Sequence, residues 1–313
     1  MTVTRPVICV VGPTASGKSE LAQMMACELG GEVVSADSMQ VYRGMDIGTG
    51  KVLPDERRVP HHGLDLVDPG EPFSAALFQA YARERFAEIE GRGNRALLCG
   101  GTGFYVRAAI DDYDFPAGEQ VGNAVRERYL AIAKSEGAHH LWALLDEADP
   151  ESAGIIPEND VKRVVRAFEL LDEGTSYARQ KEALAHIAQR VPAVFIGLAV
   201  DPDVLRERID RRVNGMFDAG LVDEVGRLLQ AGFRDGITAP QAIGYKEVVE
   251  ALDGRTTLDE ARESIKTATR RYAKRQRTWF RKDKRINWVD ANSLNFDYIC
   301  GEALSIVATI DAN

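Results

Sequence analysis

Cysteine is scarce in this 313-residue sequence, limited to Cys9, Cys27, Cys99 and Cys300. No two of them form a CxxC pair and no regular spacing links them, which excludes a disulfide framework and a thiolate zinc site. Cys9 and Cys99 lie inside apolar, strand-like runs and are expected to be small reduced core residues. Long hydrophobic runs are also missing. None approaches the roughly 20 residues a membrane-crossing helix needs. The N-terminus, MTVTRP, leads straight into the first apolar segment, leaving no room for a signal peptide, so the expected compartment is the cytoplasm. What remains is an ordinary soluble composition, 45% hydrophobic and 28% charged. The length suits one large domain, or one domain carrying a smaller insert.

Charge is unevenly spread. The formal net charge is −9, yet residues 262–285 hold eleven Lys and Arg against two acids, a local +9 that leaves −18 on the rest. A basic face on an acidic body suits selective contact with one polyanion, whereas the plainer alternative is a solvated basic helix.

Segment 7-VICVV-11 is short, continuous and β-branched, as a buried parallel strand should be. Leu21, Ala22, Met25, Ala26 and Leu29 then recur at helical spacing, and Gly30-Gly31 ends that helix. Further strands are predicted at 33–37, 95–101 and 193–200, with a weaker candidate at 286–289. Long helices are predicted over 203–231 and 258–282. Between residues 117 and 191 no strand pattern is present. Val161, Val164, Val165, Phe168 and Leu171 instead mark one face of a helix. The fold class read from this order is α/β, a P-loop NTPase-like core with a central parallel sheet flanked by helices. Residues 1–116 and 192–313 form the core, and 117–191 an all-helical insertion.

Between the first strand and the first helix stands 12-GPTASGKS-19, a complete phosphate loop in the context its mechanism requires. Gly12, Pro13, Thr14, Ala15, Ser16 and Gly17 form the turn whose backbone N–H groups cradle phosphate oxygens. Lys18 adds a charge, and the Ser19 hydroxyl suits Mg²⁺. The loop predicts a diphosphate without naming what carries it. A nucleotide such as ATP is one candidate, but strand 95–101 ends in Gly100-Gly101-Thr102-Gly103 and offers no acid for a nucleotide's metal. Asp201 reads as the cap of the next helix. Strand two does end in an acid, Asp37. The carboxyl ends of parallel strands share one crevice, so loops 12–19, 37–40 and 100–103 are expected to converge. There Asp37 is open to three readings: metal support through water, general base, or turn residue.

These segments resemble the tRNA dimethylallyltransferase (tRNA isopentenyltransferase) family. The resemblance rests on GPTASGKS (12–19), DSMQVYRGMDIGTGK (37–51), PHHGLDLVDP (60–69), FSAALFQ (73–79), GGTGFY (100–105), KRVVRAFE (162–169), AIGYKE (242–247) and YAKRQRTWFR (272–281), in family order. It implies transfer of a dimethylallyl group from dimethylallyl diphosphate to the exocyclic amine of an adenosine. That adenosine lies immediately 3′ of the anticodon in tRNAs reading codons that begin with U. The same resemblance implies Asp37 as general base, Thr102 beside the reacting phosphate and Arg212 on the leaving pyrophosphate. It further implies that Thr14, Ser16, Lys18 and Ser19 contact the donor diphosphate and Mg²⁺. Ser38, Met39 and Gln40 would contact the target base and its neighbours, and Lys162, Arg163 and Arg166 of the insertion would contact tRNA. The family pattern usually has Gln where Lys162 stands, Phe where Val213 stands, and Ala more often than Gly50.

The basic run 270-RRYAKRQRTWFRKDKR-285 interleaves Tyr272, Trp279 and Phe280 with nine basic residues, among them Lys274, Arg275 and Arg277. Its aromatics are expected to pack on the core while the basic face meets the RNA backbone. No third ligand follows His61-His62 at zinc spacing, so a structural or tRNA role at the cleft edge is expected for that pair. A monomer is expected, because tRNA can supply the large interface. Competing readings are a small-molecule or nucleoside kinase and a nucleotide-switched RNA-binding protein. The first leaves the basic helix and the insertion unexplained, and the second lacks an acid on a second phosphate-facing strand.

Overall fold

The structure, a computed structural model, describes residues 3–115, 123–185 and 187–312. Strand β1 (Val7–Val11) lies at the middle of a six-stranded sheet and is wholly buried. Its side chains alternate between two cores: Ile8 and Val10 point into one, Val7, Cys9 and Val11 into the other. Both faces are covered, so the run is continuously apolar rather than alternating. The other strands are β2 (Gly31–Ser35), β3 (His61–His62), β4 (Arg95–Gly100), β5 (Ala193–Ala199) and β6 (Ile286–Asp290). Their spatial order is β3-β2-β4-β1-β5-β6, and every pairing is parallel.

Helices supply the two covering layers. After β1 comes α1 (Lys18–Leu29), which ends at Gly30 in the left-handed conformation. Helices α2 (Ala75–Gly91) and α3 (Gly103–Ile110) flank β4 in sequence. Their Phe78, Phe86, Tyr105 and Val106 fill the core on the β1 Cys9 side. Residues Asp112–Gln189 form a separate compact unit, while Met1–Asp111 and Arg190–Asn313 form the other. The smaller unit consists of α4 (Ala124–Glu136), α5 (Ala138–Ala148), α6 (Pro150–Ala153), α7 (Val161–Asp172) and α8 (Tyr177–Ala185). Its core centres on Leu141, Leu145, Val164, Val165 and Phe168, with Tyr129 stacked on Phe168 at 3.8 Å. The larger unit continues through α9 (Pro202–Asp218), α10 (Leu221–Gln230), α11 (Tyr245–Leu252), α12 (Leu258–Phe280) and α13 (Phe296–Asp311).

Several boundaries depart from the sequence reading. Strand β2 begins and ends two residues earlier than predicted. Gly30 closes α1 where expected, but Gly31 already pairs with Arg95 in the sheet, and Asp37 leaves the strand by accepting the Met39 N–H at 2.9 Å, an Asx-type turn. The helix predicted over 203–231 is two helices, because Gly220 adopts φ 96° and breaks it after Asp218. Asp201 does stand at the N-cap of α9, but its side chain makes no capping bond. Its backbone N–H instead donates to Asn292 Oδ1.

The short edge strand β3 is held by a buried carboxylate. Glu32 on β2 accepts from Arg92 (2.7 and 3.1 Å), Asn94 Nδ2 (2.8 Å) and His62 Nε2 (2.6 Å). His61 bonds the Val59 carbonyl through Nδ1. Burial alone would raise the Glu32 carboxyl, but the bonds from Arg92, Asn94 and His62 overcome it and hold the pKa at about 2. A carboxylate depressed in the folded state stabilises fully above its unfolded pKa, and that contribution disappears as pH falls toward the folded value. We expect Glu32→Gln to lower stability at pH 7 by on the order of 2–3 kcal/mol. The gap between wild type and variant should narrow from about pH 4.5 down to pH 2. Urea midpoints measured at pH 7, 5 and 3 would check this, and a gap independent of pH would contradict it.

Candidate active site

The sheet order fixes where a ligand can sit. The connection from β1 to β2 passes over the place taken by β4, which opens a crevice at the carboxyl ends of these strands. The loop 12–19 leaves β1 there, Asp37 follows β2, and Gly101-Thr102 follow β4. Thr14, Lys18, Ser19, Asp37, Gln40 and Arg212 line one small cleft together with Thr49, Gly50, Cys99 and Gly100. A larger surface cavity of about 710 Å³ near Val3, Ala87 and Val191 contains none of the phosphate-loop residues.

The phosphate loop has the backbone an anion cradle requires. Gly17, the N-cap of α1, stands at φ 94°, and Ala15 is also left-handed at φ 63°. No side chain caps α1, so its first N–H groups and its positive dipole end face the cleft. Ser16 Oγ is buried with no hydrogen-bond partner among the described residues, an orphan acceptor and donor within the loop. Phe296, the first residue of α13, closes against Gly17 so tightly that a Cβ there would stand 2.7 Å from its ring.

Two cations and one carboxylate set the electrostatics. Burial pulls the Lys18 ammonium below its ordinary value, the nearby Asp37 charge opposes the shift, and Arg212 adds to it. Burial likewise lowers the Arg212 guanidinium, with Asp37 opposing. Lys18 Nζ donates to the Pro13 carbonyl at 3.3 Å, and Arg212 Nη2 donates to the Thr49 carbonyl at 3.2 Å. Asp37 uses Oδ1 for its turn, and among the described residues its Oδ2 has no hydrogen-bond partner. Burial pushes the Cys99 thiol up to about 11, so it stays neutral beside Lys18. Among the described residues no group of three or more His, Cys, Asp and Glu side chains could cage a metal. The available donors are oxygens, Ser19 Oγ and the Asp37 carboxylate. That set fits Mg²⁺, which takes one or two protein oxygens and completes its octahedron with phosphate and water.

Supporting residues lie far away in sequence. Buried Glu224 accepts the N–H groups of Asp46, Ile47 and Gly48 and the Tyr245 hydroxyl, at 2.6–3.3 Å. This fixes the loop whose Thr49 and Gly50 carbonyls accept from Gln40 Nε2, while Ser35 Oγ donates to Gln40 Oε1. The Gln40 amide is therefore engaged inside the protein. Thr102 Oγ1 accepts the Ser38 N–H at 3.1 Å and bonds Ser38 Oγ.

Gln276 joins the two glycine-rich turns. Its Oε1 accepts the Thr14 N–H at 2.8 Å and its Nε2 donates to the Gly101 carbonyl at 2.9 Å. Tyr272, one turn earlier on α12, is held up to about 12 by burial and by the Asp37 charge, offset by hydrogen bonds to Thr102 and Gln276. Sequence reasoning missed Glu224 and Gln276. The only local signal for Gln276 was an uncharged residue four positions after Tyr272 within a cationic run.

The outer face of α12 and the segment that follows it are cationic. Arg271, Lys274, Arg275, Arg277, Arg281, Lys282 and Lys284 make no ion pair among the described residues, whereas Arg270 pairs with Asp210 and Arg285 with Asp111 and Asp283. Phe280 is buried as expected, but Trp279 is 43% exposed, a correction to the expectation that the aromatics pack on the core. The Trp279 ring lies instead against the Gly103 backbone at the start of α3. In the smaller unit Arg163 pairs with Asp160, and Arg166 with Glu169 and Glu173. Lys162 is exposed and makes no ion pair among the described residues.

Comparison with known proteins gives a consistent result. A family model described as IPP transferase matches residues 40–283, and one described as isopentenyl transferase matches residues 5–59. A tRNA dimethylallyltransferase of Carboxydothermus hydrogenoformans is 44% identical over 95% of this chain and 96% of its own length. One of Kocuria rhizophila is 45% identical over 97% and 95%. The crystal structure of a full-length tRNA isopentenylpyrophosphate transferase from Bacillus halodurans aligns with TM-score 0.68 at 39% identity, covering 99% of this chain and 100% of that one. A eukaryotic dimethylallyltransferase captured acting on tRNA aligns with TM-score 0.80 at 28% identity, over 96% and 78% of the two chains.

Gln276→Met keeps the side-chain shape and removes both bridging bonds. At about 1 kcal/mol per bond, inorganic pyrophosphate should bind this variant roughly tenfold or more weakly. Titration calorimetry would measure it, and unchanged affinity would show that the loops hold their spacing without Gln276.

Proposed function

The chain belongs to the IPP transferase family, and from that premise we propose that it transfers a dimethylallyl group to tRNA. The donor is dimethylallyl diphosphate, and the acceptor is the exocyclic amine of the adenosine immediately 3′ of the anticodon in tRNAs reading codons that begin with U. The observation that carries this reading is the shared cleft. Lys18, Arg212 and the uncapped start of α1 offer a diphosphate site, and the free Oδ2 of Asp37 opens into the same space.

In the reaction the bond between the allylic carbon and the diphosphate oxygen breaks, and its electron pair leaves with pyrophosphate. The adenine amine forms the new C–N bond and its proton passes to Asp37 Oδ2. Lys18, Arg212 and the loop N–H groups stabilise the charge that grows on the leaving group. Thr14, Ser16 and Ser19 assist at the diphosphate, with Ser19 as the Mg²⁺ contact. Bound Mg²⁺ supplies further neutralisation of the departing pyrophosphate. Thr102 braces Ser38, and the segment Asp37–Gln40 forms the wall against which the target base rests. An adenosine in a loop must leave its stack to enter such a cleft. The unpaired cations of α12, Lys274, Arg275 and Arg277 among them, hold the RNA backbone, and Lys162, Arg163 and Arg166 add a second contact surface.

The test uses unmodified tRNA, radiolabelled dimethylallyl diphosphate and Mg²⁺. Label should enter the tRNA, and ATP turnover without incorporation would refute the reading. Asp37→Asn keeps an acceptor for the Met39 N–H but cannot take a proton. It should lower the single-turnover rate by about 10²-fold or more with little change in diphosphate affinity. Full transfer by Asp37→Asn would remove the base while sparing the family.

A further inference from the structure

Trp279 is a large aromatic side chain that the core does not use. The residue is 43% exposed, and its ring N–H makes no hydrogen bond among the described residues. It is nonetheless held in a fixed place. A Cβ at Gly103 would stand 2.1 Å from the indole Cδ1 and Nε1, so one edge of the ring lies directly against the glycine backbone. Gly103 opens α3 immediately after Thr102, which bonds Ser38 beside Asp37. The next residue, Phe104, is also exposed, at 38%.

The surroundings say what such a ring could receive. Tyr272, Arg275 and Trp279 sit at i, i+3 and i+7 of α12, one face of the helix, and Lys282 follows just past its end. Tyr272 lies close enough to Thr102, Gln276 and Asp37 for all three to act on its hydroxyl. The Arg275 guanidinium lies 5.6 Å from the Tyr272 ring centre. Arg275 and Lys282 have no carboxylate partner among the described residues. The track leading outward from Asp37 is therefore aromatic, cation, aromatic, cation. A polyanion whose units each carry a flat π-face matches that order, because its phosphates meet the cations while its bases stack on the rings. A protein partner with an acidic surface would satisfy the cations but leave the indole face against polar groups.

We propose that Trp279 is a stacking platform for one unpaired nucleobase of the RNA, the neighbour of the base that enters the cleft. The inference rests on the proposed reaction with tRNA. Gly103 is the seat of the platform: the absence of a side chain lets the indole lie down against α3 instead of turning into solvent. Every base has a π-face, so the contact fixes the path of the loop rather than its sequence.

The experiment measures affinity of an unmodified anticodon stem-loop RNA for four proteins: wild type, Trp279→Phe, Trp279→Leu and Trp279→Ala. Leu keeps an apolar cover over Gly103 and removes the π-face, so it separates packing from stacking even if Ala fails to fold. Leu and Ala should weaken binding roughly tenfold, and Phe should recover most of it. Stem-loops abasic at single loop positions complete the cycle. At one position beside the reacting adenosine, base removal should cost the wild type about tenfold and cost Trp279→Leu almost nothing further. Wild-type affinity in Leu overturns the platform, as do losses that add independently at every position. Failure of wild type to bind the intact stem-loop overturns both the platform and the reaction reading beneath it.

Discussion

Two cations, Lys18 and Arg212, face one carboxylate, Asp37, in a cleft where burial acts on both positive charges. Burial penalises both positive charges, and a single Asp offsets only part of that penalty. The surplus of positive charge makes the cleft a place where an anion is stabilised strongly, since attraction grows as the surroundings become less polar. Much of the surrounding structure serves to keep these groups close. Glu224 and Tyr245 brace the 46–50 loop, whose Thr49 carbonyl holds Arg212. Gln276 ties the phosphate loop to the turn after β4. Without such bracing, mutual repulsion and the pull of solvent would spread the cations apart.

Helix α12 serves two environments at once. Its inward positions Ala273, Gln276 and Phe280 are buried, with the polar one satisfied at both ends. Its outward positions carry the unpaired cations. A basic helix packed through an apolar face alone could slide or rotate by a fraction of a turn at small cost. Two directional hydrogen bonds from Gln276 remove that freedom, because a small rotation would leave a buried amide and two backbone groups unpaired. The cationic face thereby holds a fixed bearing relative to the cleft.

How much of this could be read from sequence depended on whether a feature leaves a local mark. The phosphate loop was legible because backbone geometry demands glycine at set spacing, and β1, β4 and β5 because strands buried on both faces are continuously apolar. The converging loops followed from the parallel order. The end of β2 was misplaced by two residues because the Asp37 turn depends on a side-chain bond, which propensity does not encode. Gln276 and Glu224 were invisible for a different reason. Their partners are backbone groups 175 to 262 residues away, and any polar residue could have stood there as far as the local pattern shows. Trp279 and Phe280 show the same limit: both rings were expected on the core, and only Phe280 is there.

The phosphate loop is better described by the charge it receives than by the nucleotide it usually holds. In phosphoryl transfer the cradle stabilises charge on a phosphoryl group that is itself attacked, and the metal's supporting acid sits on a neighbouring strand. In alkyl transfer the bond that breaks lies outside the diphosphate, and the charge accumulates on the whole departing group. The demand on the loop is the same, but the demand on the acid differs, because a neutral amine must lose a proton as it attacks. A carboxylate then belongs on the far side of the reacting carbon from the diphosphate's anchor. In the proposed reaction Asp37, which follows the strand beyond β4 and keeps one oxygen without a partner among the described residues, is the carboxylate within the cleft that could take that proton, and β4 ends in glycines that let the turns after β2 and β4 pack closely.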